Sequence, residues 1–164
     1  MYFQWGDTEG WTAEQIQNGE KVFNDSSYKW DDGSSMTKYN STDSKVVLDL
    51  EDDAAHVHMG GDWHMPTKEQ FEELTVNTTS TWITKDGIGG RLFTASNGNS
   101  LFIPSHRYAM DGYIDDMLEI VVWGCSLYEK FLFESYSLQS SPSRFSISSF
   151  IRTCGAIVLG VVSK

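Results

Sequence analysis

Residues 60–74, GGDWHMPTKEQFEEL, contain the clearest helix signal in the chain. Thr67 is an N-cap candidate. Gln70, three positions later, completes a capping box, in which each side chain bonds the backbone N–H of the other residue. Phe71 and Leu74 share one face of the helix that follows. The stretch therefore predicts a helix that starts after Thr67 and packs through these two apolar residues.

The flanking segments extend this helix into a mixed fold. Upstream, the acidic segment Leu50–His56 predicts a helix start, because carboxylates stabilise unpaired N–H groups, and Gly60-Gly61 ends that helix. Later segments alternate in polarity and are separated by turn sequences, which is typical of β-strands. The strand candidates are Val46–Leu48, Thr81–Lys85, Arg91–Ala95, Ser100–Pro104, Val121–Ser126, Ser135–Ser140, Arg144–Ser148 and Ala156–Val162.

Early helices followed by a run of strands predict the fold class α+β. A chain of 164 residues without a linker or repeat predicts one domain, residues 1–164. It opens directly on what reads as folded sequence, so we expect it to be a segment of a longer protein. The residues expected in the core are Trp63, Phe71, Leu74, Phe93, Leu101, Ile103, Trp123 and Val158.

Charge is distributed unevenly along the chain. The formal net charge is −11; residues 1–116 contain 20 acidic and 8 basic residues, and residues 117–164 contain 3 and 4. We expect no nucleic-acid partner, because binding to phosphates needs a positive face. No run of about 18 apolar residues is present, so no membrane insertion of this segment is expected.

Metal and cofactor signals are weak. His56, His58 and His64 lie close to Asp62 in the sequence, but no cysteine pair or HExxH motif supports zinc. The acidic run DLEDDAA offers oxygen ligands without the spacing of an EF-hand loop. We therefore expect no metal and no cofactor, and a solvated helix start for the acidic run.

Catalytic signals are equally weak. Ser105 and His106 are neighbours, but no GxSxG nucleophile elbow occurs. Cys125 and Cys154 are the two cysteines, and their spacing allows both a disulfide and two free thiols. These observations indicate that the chain is not an enzyme.

Several stretches together resemble the Fibrobacter succinogenes major paralogous domain, a family abundant in gut Bacteroidetes and their phages. The match covers nearly all of residues 2–116 and is most specific at residues 60–74. A later family block also fits at Trp123, Arg152 and Gly155, but the residues between these anchors differ. The stretches that support it are YFQWGDTEG, YKWDDGSSMTKYN, LDLEDDAAHVHMGGDWHMPTKEQFEEL, ASNGNSLFIPSHRY and DGYIDD.

The resemblance implies a C-type lectin-like fold, with two helices packed on twisted antiparallel strands. Some members are variable proteins of diversity-generating retroelements, in which adenines of a C-terminal region are rewritten. Rewritten AAC or AAT codons cannot encode Glu, Lys, Met, Gln or Trp. These types make up 2 of the 29 residues in 131–159 and 27 of the 116 residues in 1–116. The resemblance therefore implies a scaffold at 1–116 and a variable region at 117–162; an ordinary divergent family member is the alternative.

The implied function is a ligand-binding module for receptor recognition or adhesion, on a phage virion or a bacterial cell surface. The ligand is a protein or a glycan on a cell or phage target, and the oligomeric state stays open. A catalytic domain similar to the formylglycine-generating enzymes and a purely structural module are the alternatives. The residues expected on the variable binding face are Leu118, Ile120, Val121, Tyr128, Phe131, Phe133, Ser146, Ser148, Phe150, Ile151, Thr153 and Ala156.

Overall fold

The computed structural model describes residues 1–117 and 119–163. Within them the chain forms short helices and antiparallel strands, which confirms the fold class α+β. The α-helices are α1 (Ala13–Gln17), α2 (Ala54–Met59) and α3 (Lys68–Asn77), and two 3-10 turns span Asp25–Ser27 and Leu50–Asp52. The strands are β1 (Trp63–His64), β2 (Thr78–Lys85), β3 (Ile88–Ala95), β4 (Ser100–Pro104), β5 (Tyr108–Met110), β6 (Tyr113–Asp115), β7 (Ile120–Leu127), β8 (Glu134–Ser141), β9 (Arg144–Ile151) and β10 (Val161–Val162).

The strands pair in four antiparallel groups. Sheets of three strands are formed by β2-β3-β4 and by β7-β8-β9, and pairs are formed by β5-β6 and by β1-β10. The β1-β10 pair joins the segment that precedes α3 to the C-terminal segment. An antiparallel bridge between Phe3 and Ala156 ties the first residues to the same C-terminal segment. None of the described helices is both long and apolar enough to span a bilayer.

Helix α3 has the start that the sequence predicts. The Thr67 side chain accepts a hydrogen bond from the Gln70 N–H, and the Gln70 side chain accepts one from the Thr67 N–H. Phe71 is buried and faces β7 at Gly124, where an added Cβ would lie 2.9 Å from the phenyl ring and 2.9 Å from the Pro66 carbonyl. The absence of a side chain at Gly124 thus lets the helix approach β7 closely.

Strand β7 lies between two apolar clusters, and all eight of its residues are buried. Val121 and Trp123 pack in the first cluster, with Trp5 and Tyr39, whereas Val122 packs in the second. A third cluster surrounds Ile16 and Phe23 near α1. Because both faces of β7 are covered, this strand has no side that can meet a ligand.

Four predicted core residues are confirmed as buried: Phe71, Phe93, Ile103 and Trp123. Leu74 and Val158 are half-buried at the edges of the clusters. Trp63 and Leu101 are exposed, at 37% and 42%, so their assignment to the core was wrong. Each lies on a short strand at the edge of the fold.

Two strand predictions also need correction. Val46–Leu48 forms only an isolated antiparallel bridge to the end of β7, between Val47 and Ser126, with flanking hydrogen bonds from the Leu48 N–H to the Cys125 carbonyl and from the Leu127 N–H to the Val46 carbonyl. Most of Ala156–Val162 is irregular and makes single bridges from Ala156 and Ile157, with regular pairing only in β10.

Candidate functional site

The residues expected on the binding face are divided by burial. Phe131, Phe133, Ser146, Ser148 and Ile151 are exposed, and Tyr128 and Phe150 are half-buried. Ile120, Val121, Thr153 and Ala156 are buried, so their assignment to a ligand-contacting face was wrong. Leu118 lies outside the described residues.

The four buried positions have structural partners. Ile120 and Val121 are part of β7, which is covered on both faces. The Thr153 hydroxyl donates to the Asp25 carboxylate at 2.8 Å. Ala156 exchanges backbone hydrogen bonds with Phe3 inside the first cluster. These residues hold the late strands to the rest of the fold.

An aromatic cluster, formed by Tyr128, Phe131, Phe133 and Tyr136, lies at the β7–β8 connection. The ring centroids are 6.1 Å apart for Tyr128–Phe131, 5.8 Å for Phe131–Phe133 and 5.1 Å for Tyr128–Tyr136. Phe131 is 51% exposed and Phe133 48% exposed. The four rings form a continuous aromatic surface that is open to solvent.

Local hydrogen bonds give this connection its shape. The Phe131 N–H donates to the Tyr128 carbonyl at 3.0 Å, and the Glu134 N–H donates to the Phe131 carbonyl at 2.9 Å. These successive tight turns follow β7 and lead into β8. Ile151, also exposed, pairs with Glu134 on the neighbouring strand and so lies beside the cluster.

An open groove of about 500 Å³ adjoins the aromatic cluster. One wall consists of Leu132 and Phe133, and the other is a turn-rich loop, residues 31–42, which we call the 31–42 loop. Asp31 lies on the loop wall, and its carboxylate accepts the Gly33 N–H at 2.8 Å. The groove-lining residues are Asp31, Gly33, Ser34, Ser35, Met36, Asn40, Ser41, Thr42, Leu132 and Phe133.

Arg152 joins the two walls of this groove from beneath. Its guanidinium is fully buried and donates to the Leu132 carbonyl at 2.7 Å and to the Tyr39 carbonyl at 3.2 Å. It also donates to the Lys38 carbonyl at 3.0 Å. The charge lies 4.6 Å from the centre of the Trp5 ring, an arrangement that stabilises a cation. Arg152 therefore sets the spacing between the 31–42 loop and the β7–β8 connection.

One acidic group in residues 1–117 and 119–163 has the geometry to hold a cation: Asp49, Glu51 and Asp52. The ammonium group of Lys38 already lies among them, 3.1 Å from Asp49 and 2.5 Å from Asp52. Although burial alone would raise it, hydrogen bonds from Lys38 and Tyr39 hold the pKa of Asp52 below its usual value. Lys29 also lies 3.4 Å from Asp52, and Lys45 lies 2.5 Å from Asp49, so three lysines of the chain offset the three carboxylates.

The histidines do not converge on one point. His56 Nδ1 contacts the Trp63 carbonyl at 3.2 Å, and His58 Nε2 contacts the Thr8 carbonyl at 2.8 Å. His64 uses both ring nitrogens, on the Met65 carbonyl and the Ser163 hydroxyl. Each ring therefore links neighbouring backbone segments.

Ser105 and His106 do not form a catalytic pair. The Ser105 hydroxyl donates to the Glu119 carboxylate at 2.5 Å, whereas His106 Nδ1 contacts the Pro104 carbonyl at 2.9 Å. A nucleophilic serine needs a base that accepts its proton from within hydrogen-bond reach. The imidazole does not take that position.

Both thiols are buried and unbonded. Burial raises the pKa of Cys125 to about 12, with the nearby Asp53 carboxylate adding to the effect. Burial likewise raises the pKa of Cys154 to about 12. Both side chains are therefore protonated at neutral pH, whereas a reactive cysteine needs a thiolate.

Comparison with known proteins gives no relative: no family model, curated protein or solved structure matches this chain. Any functional proposal therefore rests on the geometry of the site and on the resemblance of the sequence.

Sequence reasoning missed the loop side of the groove. The segment YKWDDGSSMTKYN entered only through the resemblance, although its Asp-Gly and serine turns are typical of surface loops. It also missed that Arg152 links this loop to the β7–β8 connection. A single arginine in the C-terminal segment gives no signal of the carbonyls that it will meet.

Proposed function

We propose that the chain is a ligand-binding module that recognises a protein or glycan on a cell or phage target. The observation that supports this most directly is the exposed aromatic cluster at the β7–β8 connection. Exposed apolar surface is costly in water, and contiguous patches rimmed by polar groups are typical of binding sites. Aromatic side chains also supply much of the energy at the centre of such interfaces.

The groove beside the cluster extends the proposed site. Its lining combines one aromatic residue, Phe133, with the acidic residue Asp31 and the hydroxyl-bearing residues Ser41 and Thr42. An apolar ring beside several polar groups suits a ligand that has both apolar faces and hydrogen-bonding groups. Arg152 fixes the width of the groove, so ligand binding does not have to order the loop first.

We further propose a C-type lectin-like fold and a retroelement-diversified surface, on the basis of the family resemblance. The burial pattern narrows the diversified set to residues that can change without disturbing the core. Its members are Tyr128, Phe131, Phe133, Ser146, Ser148 and Ile151. A reverse-transcriptase gene beside the coding sequence, with a near-copy of the segment for 117–159, is the expected genomic arrangement; its absence would contradict diversification.

The alternative of a thiol-dependent enzyme gains no support from the chemistry of the site. Cys125 and Cys154 are buried and protonated, and neither lines the groove. We therefore favour binding over catalysis.

The test compares binding by the wild-type chain and a Phe131→Ser/Phe133→Ser variant. The probes are a glycan array and fixed Bacteroidetes cells, with the fluorescently labelled chain. We expect the variant to lose at least about tenfold in affinity, since removing two anchor side chains commonly costs more than 1.4 kcal/mol.

Val76→Ser is the matched control, because Val76 is an apolar residue that is 82% exposed and lies on α3, outside the cluster. It should bind as the wild type does, and both variants should keep the wild-type Tm. Equal binding by all three chains, or equal loss in both variants, would contradict the proposed site.

A further inference from the structure

Strand β9 forms an open edge of the three-stranded sheet β7-β8-β9. It pairs with β8 on one side, and none of its eight residues is buried. Within the described residues, no backbone N–H of residues 145–150 donates to a group outside that pairing. An exposed row of unpaired backbone groups is a template for the addition of another strand.

The alternation of an antiparallel ladder determines which β9 groups face outward. The Arg152 N–H donates to the Phe133 carbonyl at 3.0 Å, just beyond the end of β9, so those two residues form a hydrogen-bonded pair. The β8–β9 register continues without a shift from there to Ser141–Arg144. Because bonded and non-bonded pairs alternate, the backbone N–H and C=O groups of residues 145, 147 and 149 do not pair with the β8 backbone. The Ser149 carbonyl accepts the Gln139 side-chain amide at 3.0 Å and keeps a second lone pair for a partner strand.

This edge lacks the features that normally prevent strand addition. Natural edge strands contain lysines, prolines or bulges that block a neighbour. The β9 sequence, RFSISSFI, has one charge, Arg144 at its first position, and no proline. Its register with β8 shows no bulge.

We propose that a second copy of this chain adds its own β9 to this edge, antiparallel, to form a continuous six-stranded sheet. The two-fold axis passes through Ile147, which lies opposite its own copy. Phe145 then lies opposite Ser149, and Ser146 opposite Ser148. In this register residue 145 pairs with residue 149 of the other copy, and residue 147 pairs with its own copy. The outward backbone groups of each strand therefore face the outward groups of the other strand.

Charge favours this edge over the rest of the surface as the place where a second copy binds. Two chains of net charge −11 repel each other over most of their surfaces, but residues 117–164 contain 3 acidic and 4 basic residues. The least acidic part of the chain therefore includes this edge. Arg144 lies opposite Phe150 of the other copy, so the register places no like charges opposite each other.

The test adds charge where Ser146 and Ser148 meet across the axis. Both side chains are exposed, so their replacement should leave the fold intact. Sedimentation velocity over a concentration series should show reversible dimers of the wild type. Ser146→Lys/Ser148→Lys and Ser146→Glu/Ser148→Glu should each weaken the dimer about tenfold or more, because like charges then face each other.

An equimolar mixture of the two variants should restore dimers, since each lysine then faces a glutamate. The lysine variant lowers the net negative charge of each copy and the glutamate variant raises it. Loss of the dimer in both thus reports pairing at the edge and not the overall charge. Thr79→Lys/Thr81→Lys is the matched control; both residues are exposed on β2, another edge strand of eight residues, and this variant should dimerise as the wild type does.

Three results would overturn the proposal: a wild-type chain that is monomeric throughout the series, a mixture that forms no heterodimer, or a control variant that loses the dimer equally. Phe131→Ser/Phe133→Ser should leave the dimer unchanged. Its binding assay and this association assay can therefore fail independently.

Discussion

At the scale of single residues, Arg152 shows how a buried charge is accommodated when no carboxylate of residues 1–117 and 119–163 contacts it. Its guanidinium donates to three backbone carbonyls and to the Tyr28 hydroxyl, and it lies against the Trp5 ring. The guanidinium group is planar and presents five N–H donors at fixed angles, so it can donate to several acceptors at once. Burial raises the pKa of Tyr28 above its usual value, so this hydroxyl stays neutral beside the cation.

Arg152→Met should destabilise the fold by about 3 kcal/mol or more. The variant leaves the Lys38, Tyr39 and Leu132 carbonyls without this donor, and an unsatisfied buried polar group costs about 1–3 kcal/mol. Urea unfolding at low protein concentration measures the loss. Arg144→Met, at an exposed position of β9, is the control and should change stability by under about 0.5 kcal/mol. Equal small effects would show that Arg152 does not join the groove walls.

The buried thiols predict a loss of stability in alkaline solution. The pKa of a thiol is ordinarily about 9, and burial raises the pKa to about 12 for both Cys125 and Cys154. Between these values the unfolded chain releases protons that the folded chain retains, so stability falls as pH rises from about 9 towards 12.

Cys125→Ser/Cys154→Ser should fold and show a shallower alkaline loss, measured as the free energy of unfolding from pH 8 to 11. Because the thiols form no disulfide, adding a reductant should not change wild-type stability. A parallel pH dependence of the two chains would contradict the thiol contribution.

At the scale of elements, α3 is specified by its own sequence. The reciprocal Thr67–Gln70 bonds satisfy two N–H groups that a helix start otherwise leaves unpaired, and Phe71 then packs against β7 at Gly124. The β2–β3–β4 meander is also local, since its strands follow one another and pair in sequence order. The observed strands begin up to three residues earlier than the predicted ones, because pairing continues into the turns.

Thr67→Ala should destabilise the protein by about 1 kcal/mol, the usual cost of losing an N-cap side chain. Thr75→Ala in the same helix is the control, because it removes only a hydroxyl bond to the Glu72 carbonyl and adds a better helix former. Thermal unfolding of both variants checks the difference. Equal Tm changes would mean that the cap does not determine where α3 starts.

At the scale of the whole molecule, the late strands serve two purposes. Strand β7 fills the space between the first two apolar clusters, whereas β9 has no buried residue. The β8 strand between them is mixed: Leu138 is buried and Gln139 is only half-buried. A binding surface and part of the core are thus built from the same sheet.

Simultaneous replacement of the exposed late residues should preserve the fold, whereas replacement of the buried ones should not. The exposed set is Phe131, Phe133, Ser146, Ser148 and Ile151, and polar substitutions there should leave the Tm within a few degrees of the wild-type value.

The buried-set variant carries Val121→Ser, Thr153→Val and Ala156→Leu. We expect it to unfold, because the first change leaves a cavity, the second removes a hydrogen bond and the third overpacks the core. Circular dichroism melts distinguish the two outcomes. Unfolding of the exposed-set variant would contradict a replaceable surface.

The sequence by itself determined the local features of this protein. The Thr67–Gln70 box, the glycine stop after α2 and the alternating strands with their turns depend on residues a few positions apart. Their hydrogen bonds form within one segment. The α+β class follows from the order of these segments.

Only the tertiary structure decided which late residues are exposed and where the groove lies. Ile120 and Phe131 are both apolar residues of the C-terminal part, yet one is enclosed between clusters and the other faces solvent. Trp63 is a large aromatic residue in the stretch with the clearest helix signal and is still 37% exposed. Burial depends on partners that lie far away in the chain, as Lys38 and Tyr39 do from Arg152, and no periodicity in a single segment encodes those contacts.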